Sequence, residues 1–264
     1  DVMVNGLDFY PTLLTLTGTK HPKDKNLDGC DLSDLLLKDP TNPNLVKNKD
    51  GRPRDTMVWH FPHSVAMEST IRVNGYKLVR NYNHQFDEGT TELELYQLYE
   101  TDNGKQVRVD IEESNNLASQ NPELTKELNE RLSSILNEMD ASYPYYNPQA
   151  RRVGAKKNLI PKVISHKIHN ETVTFSVREQ GAKIVRADLI YTQNGGKKYE
   201  EWYRIKGKEK IKGTISFKLP EGSTHYYLNL IDENNFLVSY PETPDYSELG
   251  KTKEKFAKFA ITRK

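Results

Sequence analysis

The second half of the chain alternates. From residue 159 onward apolar side chains recur at every second position in short bursts: Val173, Phe175 and Val177, then Ala187, Leu189 and Tyr191, then Ile215, Phe217 and Leu219, then Tyr226, Leu228 and Leu230. A period of two belongs to a strand with one face buried and the other wet. Turn-forming clusters separate the bursts at Asn194-Gly195-Gly196, Pro220-Glu221-Gly222 and Glu233-Asn234-Asn235. Short strands at such spacing predict a β-sandwich over residues 159–264, with its last strand at residues 258–262.

The first half follows another pattern. Asn74-Gly75 is a strong two-residue hairpin signal between Ile71-Arg72-Val73 and Tyr76-Lys77-Leu78-Val79. Short strands are predicted at residues 56–61, 70–73, 76–82 and 92–98. A helix follows, with Asn121 as its cap and Pro122 in its first position. Leu124, Leu128, Leu132, Ile135, Leu136 and Met139 form one apolar face at helical spacing. The product is a small antiparallel sheet with one packed helix, an α+β unit. Nearer the start, Asp8 is placed to cap a short helix through Pro11, Leu13, Leu14 and Leu16, ending at Gly18. That helix is too apolar for its length to stand alone, so it is expected to lie against an element outside this chain. Residues 38–55 read as a surface loop and 143–157 as a linker without a clean period.

Length and charge bound the function. At 264 residues the chain can bury a real core, and its 38 basic and 37 acidic residues leave a formal charge of +1. Nothing electrostatic calls for nucleic acid or a membrane surface, and no apolar run spans a bilayer. The chain opens on Asp1 with no basic-then-apolar leader in view. Cys30 is the single cysteine, so no intrachain disulfide can form, and it reads as a small buried residue.

Five segments carry a resemblance. They are LDFYPTLLTLTG (7–18), LDGCDLSDLL (27–36), IRVNGYKLVRNY (71–82), LELYQL (93–98) and ESNNLASQNPEL (113–124). In spelling, order and spacing the first 148 residues resemble the C-terminal part of the formylglycine-dependent sulfatases, arylsulfatase-like members of the alkaline phosphatase superfamily. The signature C/S-x-P-S-R, which supplies the residue oxidised to formylglycine, is absent, and Cys30 lacks that setting. The resemblance therefore implies a fragment without its nucleophile. Residues 1–45 would belong to a missing N-terminal domain, 46–148 would form the sulfatase C-terminal α+β subdomain, 149–158 a linker, and 159–264 an immunoglobulin or fibronectin III-like accessory sandwich. Calcium and formylglycine would serve the parent enzyme, with no ligand or catalytic residue transferred to this chain. A periodic departure at residues 100–113, longer and more polar than the family's connector, reads as a hairpin or loop insertion.

In such enzymes this subdomain forms one wall of the substrate cleft. WHFPHS (59–64) is the best candidate, because imidazole can donate to sugar hydroxyls or sulfate and indole can stack on a sugar face. Trp59, His60 and His63 are thus candidate substrate residues, although strand-end histidines are also ordinary. A zinc site from His60, His63 and His84 lacks a fourth ligand. Arg72 and Lys77 lie on the hairpin, where a solvated strand face competes with contact to a substrate sulfate or carboxylate. Tyr76, Leu78 and Tyr96 read as core, and Asn115-Asn116-Leu117-Ala118 as a turn into the helix. In the sandwich, Tyr191, Trp202, Tyr203, Tyr226, Tyr227 and Tyr240 are numerous enough for a sugar platform, but alternation turns half of them inward.

The expectation is the C-terminal portion of a periplasmic or secreted sulfatase acting on sulfated carbohydrate, inactive by itself. Two alternatives stand beside it. One is a carbohydrate-binding sandwich module. The other is a phosphonate or phosphodiester hydrolase of the same superfamily.

Overall fold

The computed structural model describes residues 2–63, 66–84, 89–102, 105–150, 155–207, 213–242 and 255–263. The chain is α+β, with several antiparallel sheets and few helices. It divides into two compact units, Asp1–Pro144 and Tyr145–Lys264. Among the described residues no helix is long and apolar enough to cross a membrane.

The first unit is built on a four-stranded antiparallel sheet in sequence order: β1 (Thr56–His63), β2 (Ala66–Val73), β3 (Tyr76–Asn81) and β4 (Leu93–Gln97). Asn74, at φ 50°, turns the β2–β3 hairpin, which Asn tolerates better than other non-glycine residues. Gly75 is demanded by packing, since a Cβ there would lie 2.1 Å from the Tyr99 carbonyl oxygen. A second hairpin, β5 (Tyr99–Asp102) with β6 (Lys105–Arg108), falls in the polar stretch expected to be a hairpin or loop insertion.

One face of the sheet is closed by a 17-residue helix (Pro122–Glu138). Leu128, Leu132 and Leu136 are buried against Ile71, Leu78 and Leu95, one residue from each of β2, β3 and β4. Each such burial is worth about 1.5–3 kcal/mol. Polar stitches flank this seam: Arg80 donates to the Asn129 carbonyl and to Ser133 Oγ, and Arg131 pairs with Asp55 at 3.0 Å. Two expectations differ here. Asn121 makes no side-chain cap, because its amide turns back toward the Leu117 carbonyl. Met139 lies past the last helical residue and is exposed rather than core.

Ahead of the sheet run α1 (Phe9–Leu16) and α2 (Ser33–Leu37). Asp8 does not cap α1 either. Its carboxylate is fully buried and collects four donors: Arg54 Nη2 (2.6 Å) and Cys30 N (2.8 Å) on Oδ1, with Arg54 Nη1 (2.8 Å) and Asn5 N (2.8 Å) on Oδ2. Arg54 also reaches the Met3 carbonyl, and Thr12 Oγ1 bridges the Asp8 carbonyl and Leu32 N. Arg54 and Val46 are buried anchors inside the stretch expected to be all surface loop. Cys30 packs with Leu32, Leu35 and Val46 as expected of a small buried residue, and burial raises its thiol pKa.

The second unit holds two sheets. One orders β10 (Trp202–Lys206), β9 (Ile184–Thr192), β12 (His225–Asp232) and β13 (Leu237–Tyr240), with β14 (Ile261–Thr262) also on β12. The other orders β11 (Thr214–Lys218), β8 (Thr172–Arg178) and β7 (Lys162–His169). Their inward residues form one cluster: Val173, Phe175, Ile215 and Phe217 from one sheet, Ala187, Leu189, Tyr226 and Leu228 from the other. The final strand is shorter than expected, because residues Phe256–Phe259 form a 3-10 turn whose Phe256 ring packs on Trp202 and Tyr227.

The Asp8–Arg54 pair sets a stability test. Burial pushes the Asp8 carboxyl up, but the Arg54 hydrogen bonds and the Asn5 and Cys30 N–H groups outweigh it and hold the pKa below 3.8. A carboxyl depressed in the folded state contributes stability above its unfolded pKa, and that share is lost as pH falls below about 3.8. Asp8→Ala leaves the guanidinium buried without its partner and should cost about 3–5 kcal/mol in urea unfolding, while Asp8→Leu with Arg54→Met should recover much of the loss. Trp59 fluorescence in a Trp202→Phe background reads the first unit alone, since the chain has two tryptophans.

Candidate functional site

Strand parity decides which candidate residues can act together. In the register, Val58 opposes Ile71, so Val58 and His60 share the face that α3 (Pro122–Glu138) covers. Trp59, Phe61 and His63 point the other way, and so do Arg72 on β2 and Lys77 on β3. His60 and His63, three apart, therefore stand on opposite sides of the sheet.

His60 is engaged at both ring nitrogens. Nε2 lies 2.9 Å from the Ser142 carbonyl, which only accepts, so Nε2 carries the proton. In the neutral ring Nδ1 then accepts from Ser69 Oγ at 2.6 Å, and Ser69 accepts from the Tyr82 hydroxyl at 2.7 Å. The ring meets Tyr82 and Tyr143 edge-on, at 6.4 and 5.8 Å between centroids. Within this unit His60 also borders a groove of about 1250 Å³, which runs along β1 and α3 past Arg131 and His21.

On the opposite face the cations are spent. Lys77 Nζ is held by both Glu113 oxygens, at 2.5 and 2.7 Å. Arg72 donates to the Asn74 carbonyl, and its guanidinium sits 4.8 Å above the Tyr99 ring. Beside them Tyr96 is buried and donates to Glu94; burial first, then that carboxylate, pushes its pKa up to about 12. The row Met57, Arg72, Lys77 and Tyr96 thus forms a closed, internally paired half of the face.

The other half is open. Trp59 and Phe61 are 45% and 49% exposed, and His63 is exposed at the end of β1. The Phe61 and His63 rings lie 4.1 Å apart, and across the register Phe61 meets Glu68 and then Asn81. The result is an aromatic strip with an imidazole at its tip and a carboxylate beside it, suited to stacking on a flat apolar face and donating at its rim. Phe61 and Glu68 escaped the sequence reading. Phe61 sat inside the quoted motif and needed only the parity rule, whereas nothing local marked Glu68.

Among the described residues no three His, Cys, Asp or Glu side chains gather where they could hold a metal ion. Cys30 is a free cysteine buried in the Leu-rich cluster. His84 donates through Nδ1 to the Asn81 carbonyl. The sandwich aromatics divide as alternation requires: Tyr226 is core, Trp202 and Tyr227 pack under Phe256, and Tyr203 tilts on Tyr191 at a sheet edge.

No protein-family model matches the chain. It is 27% identical over 184 residues to the uncharacterized sulfatase YdeN of Escherichia coli (strain K12), an alignment covering 62% of this chain and 30% of that protein. The relationship is sulfatase-like, and the chain spans less than a third of that relative's length.

The His60 chain makes a checkable claim. Ser69→Ala removes the donor to Nδ1 and the acceptor of Tyr82, and should cost about 1–3 kcal/mol by urea unfolding. Nitrogen NMR should find His60 protonated on Nε2 in the parent protein.

Proposed function

We propose that this chain is the C-terminal portion of a formylglycine-dependent sulfatase that hydrolyses sulfate esters on carbohydrate in the periplasm or outside the cell. The likeness to a sulfatase over 62% of the chain carries the reading. On this view an N-terminal domain contributes the formylglycine nucleophile and the calcium ligands, and this chain alone is inactive. Sulfate ester cleavage needs a nucleophile, neutralisation of the sulfate oxygens and proton transfer to the leaving alcohol, none of which this chain's paired cations supply. Its share is to shape the wall of the cleft.

Two features support that division. Leu7, Phe9, Tyr10, Leu13 and Leu16 are exposed along a single short helix and its lead-in, a face that a missing domain would cover. The open strip of Trp59, Phe61 and His63 offers ring faces and an imidazole donor to a sugar. Arg72 and Lys77, committed to Tyr99 and Glu113, act as supports of the wall. His60 positions the strand from the covered face. Residues 159–264 serve as an immunoglobulin or fibronectin III-like accessory sandwich.

The polypeptide encoded with its upstream sequence, matured in a host that makes formylglycine, should hydrolyse a chromogenic aryl sulfate and surpass its rate on a phosphodiester. Within it, Trp59→Ala and His63→Ala should each lower kcat/KM on a sulfated oligosaccharide about three- to tenfold, the scale of one stacking or donor contact, and spare the small aryl ester. An upstream sequence without C/S-x-P-S-R, or a phosphodiesterase rate above the sulfatase rate, overturns the reading.

A further inference from the structure

The two outer edges of the four-stranded sheet are finished differently. On β4 the outward backbone groups are answered. Leu95 N donates to Asn116 Oδ1 at 3.1 Å, Leu117 N to the Leu95 carbonyl at 2.7 Å, and Asp110 N to the Gln97 carbonyl at 3.1 Å. On β1 they are not. Asn74 N donates to the Asp55 carbonyl at 2.9 Å, which starts the ladder to β2 and gives Met57, Trp59 and Phe61 its bonded positions. Thr56, Val58 and His60 therefore turn their N–H and C=O groups outward, at intervals of about 7 Å. Among the described residues nothing hydrogen-bonds to these backbone groups. The next outward position is Pro62, which has no N–H to offer.

An eight-residue edge strand without a lysine is a template for another strand, and folded proteins cover or blunt such edges. The groove of about 1250 Å³ follows this one from Asp55 to Val58 and on to His60. It exceeds the range of about 300–1000 Å³ that suits a small ligand. Pro22, Leu27, Ile135 and Met139 give it apolar lining. Arg52, Arg54 and Arg131 line it too, but each is already paired, with Asp50, Asp8 and Asp55. An occupant need bring no charge for those arginines; what the edge lacks is backbone donors and acceptors. Exposed Leu7 is part of the same lining, so the groove is continuous with the apolar lead-in and face of α1. The sulfatase-like relative has 70% of its length outside the alignment, ample chain to supply a strand.

We propose that β1 takes up a fifth strand on its free edge, supplied by an extended segment of the same polypeptide from the N-terminal domain. The inference rests on the reading that such a domain precedes this chain. The incoming backbone bonds Thr56, Val58 and His60, and Pro62 ends the pairing before His63. Trp59, Phe61 and His63 project from the face of the sheet, so the aromatic strip stays open while the edge is filled. Main-chain hydrogen bonds then lock the strand that carries the strip to the domain that carries the chemistry.

Residue-resolved hydrogen–deuterium exchange tests this on the 264-residue chain and on the polypeptide encoded with its upstream sequence. In the 264-residue chain the amides of Met57, Trp59 and Phe61 should exchange slowly, and those of Thr56, Val58 and His60 about a hundredfold faster. In the longer polypeptide Thr56, Val58 and His60 should all slow by about a hundredfold. A domain that covers β1 with side chains alone leaves them fast, and that result overturns the proposal. So does slow exchange of the three amides in the 264-residue chain itself, because the edge would then be filled without an upstream segment. Aryl sulfate turnover measured on the same sample reads the proposed function separately. Slow amides without turnover support the added strand and count against the sulfatase, whereas turnover with fast amides overturns the strand alone.

Discussion

The carboxylate of Asp8 holds the first unit together. Arg54 lies forty-six positions further on, and the fork between them joins the start of the chain to the segment that leads into the first strand of the sheet. Two ions taken out of water cost several kcal/mol each, and their attraction offsets this only when the remaining hydrogen-bonding capacity is filled. Here it is filled: each Asp8 oxygen takes one guanidinium donor and one backbone N–H. Geometry elsewhere bends to this arrangement. The Cys30 amide can reach Asp8 only because residue 29 is glycine, since a Cβ there would fall 2.1 Å from the Leu7 carbonyl oxygen. What the pin achieves is orientation more than stability, for a well-packed apolar pair can be as stable. It fixes α1 with Pro11 and Thr12 inward and Phe9, Leu13 and Leu16 outward.

That outward face explains why so much of the fold was legible from sequence and this interaction was not. Periodicity reports burial along one element. It found the helix of Pro122–Glu138 and the inward residues of four sandwich strands, because each buries a regular stripe, while turn chemistry alone marked the hairpin at Asn74-Gly75. Asp8 and Arg54 belong to no stripe. Their partnership is set by how two distant segments meet, and the nearest local rule, a helix cap, pointed the Asp8 carboxylate to the wrong partner. The same holds for β7, where a register shift between Val163 and Ser165 breaks the alternation and hides the strand. Met139 shows the opposite error, a periodic position just beyond the end of the element that gave the period meaning.

For the site, the residues were legible and their grouping was not. Trp59, His60 and His63 were read as one cluster because they are close in sequence. In a strand, closeness along the chain means opposite faces at odd separations, and the register places His60 with Ser69 and Tyr82 under the helix while Trp59 and His63 join Phe61 in the open. Arg72 and Lys77 do share the outer face, yet their charges are answered by Tyr99 and Glu113, neither of which is near them in sequence.

The pattern of satisfied charge narrows what the chain can contribute to any reaction. The first unit's arginines at 54, 72, 80 and 131 and its lysine at 77 each hold a carboxylate, a ring or a backbone carbonyl. A cation already neutralised at 2.5–3.0 Å gains little by approaching a sulfate, because it must first give up its partner. What remains uncommitted on the sheet is the aromatic surface of Trp59 and Phe61, with His63 at its tip and Glu68 beside it. Under the proposed function such a surface would take the sugar and leave the sulfate to groups outside this chain. On that reading its specificity would come from ring faces and hydroxyl partners instead of charge.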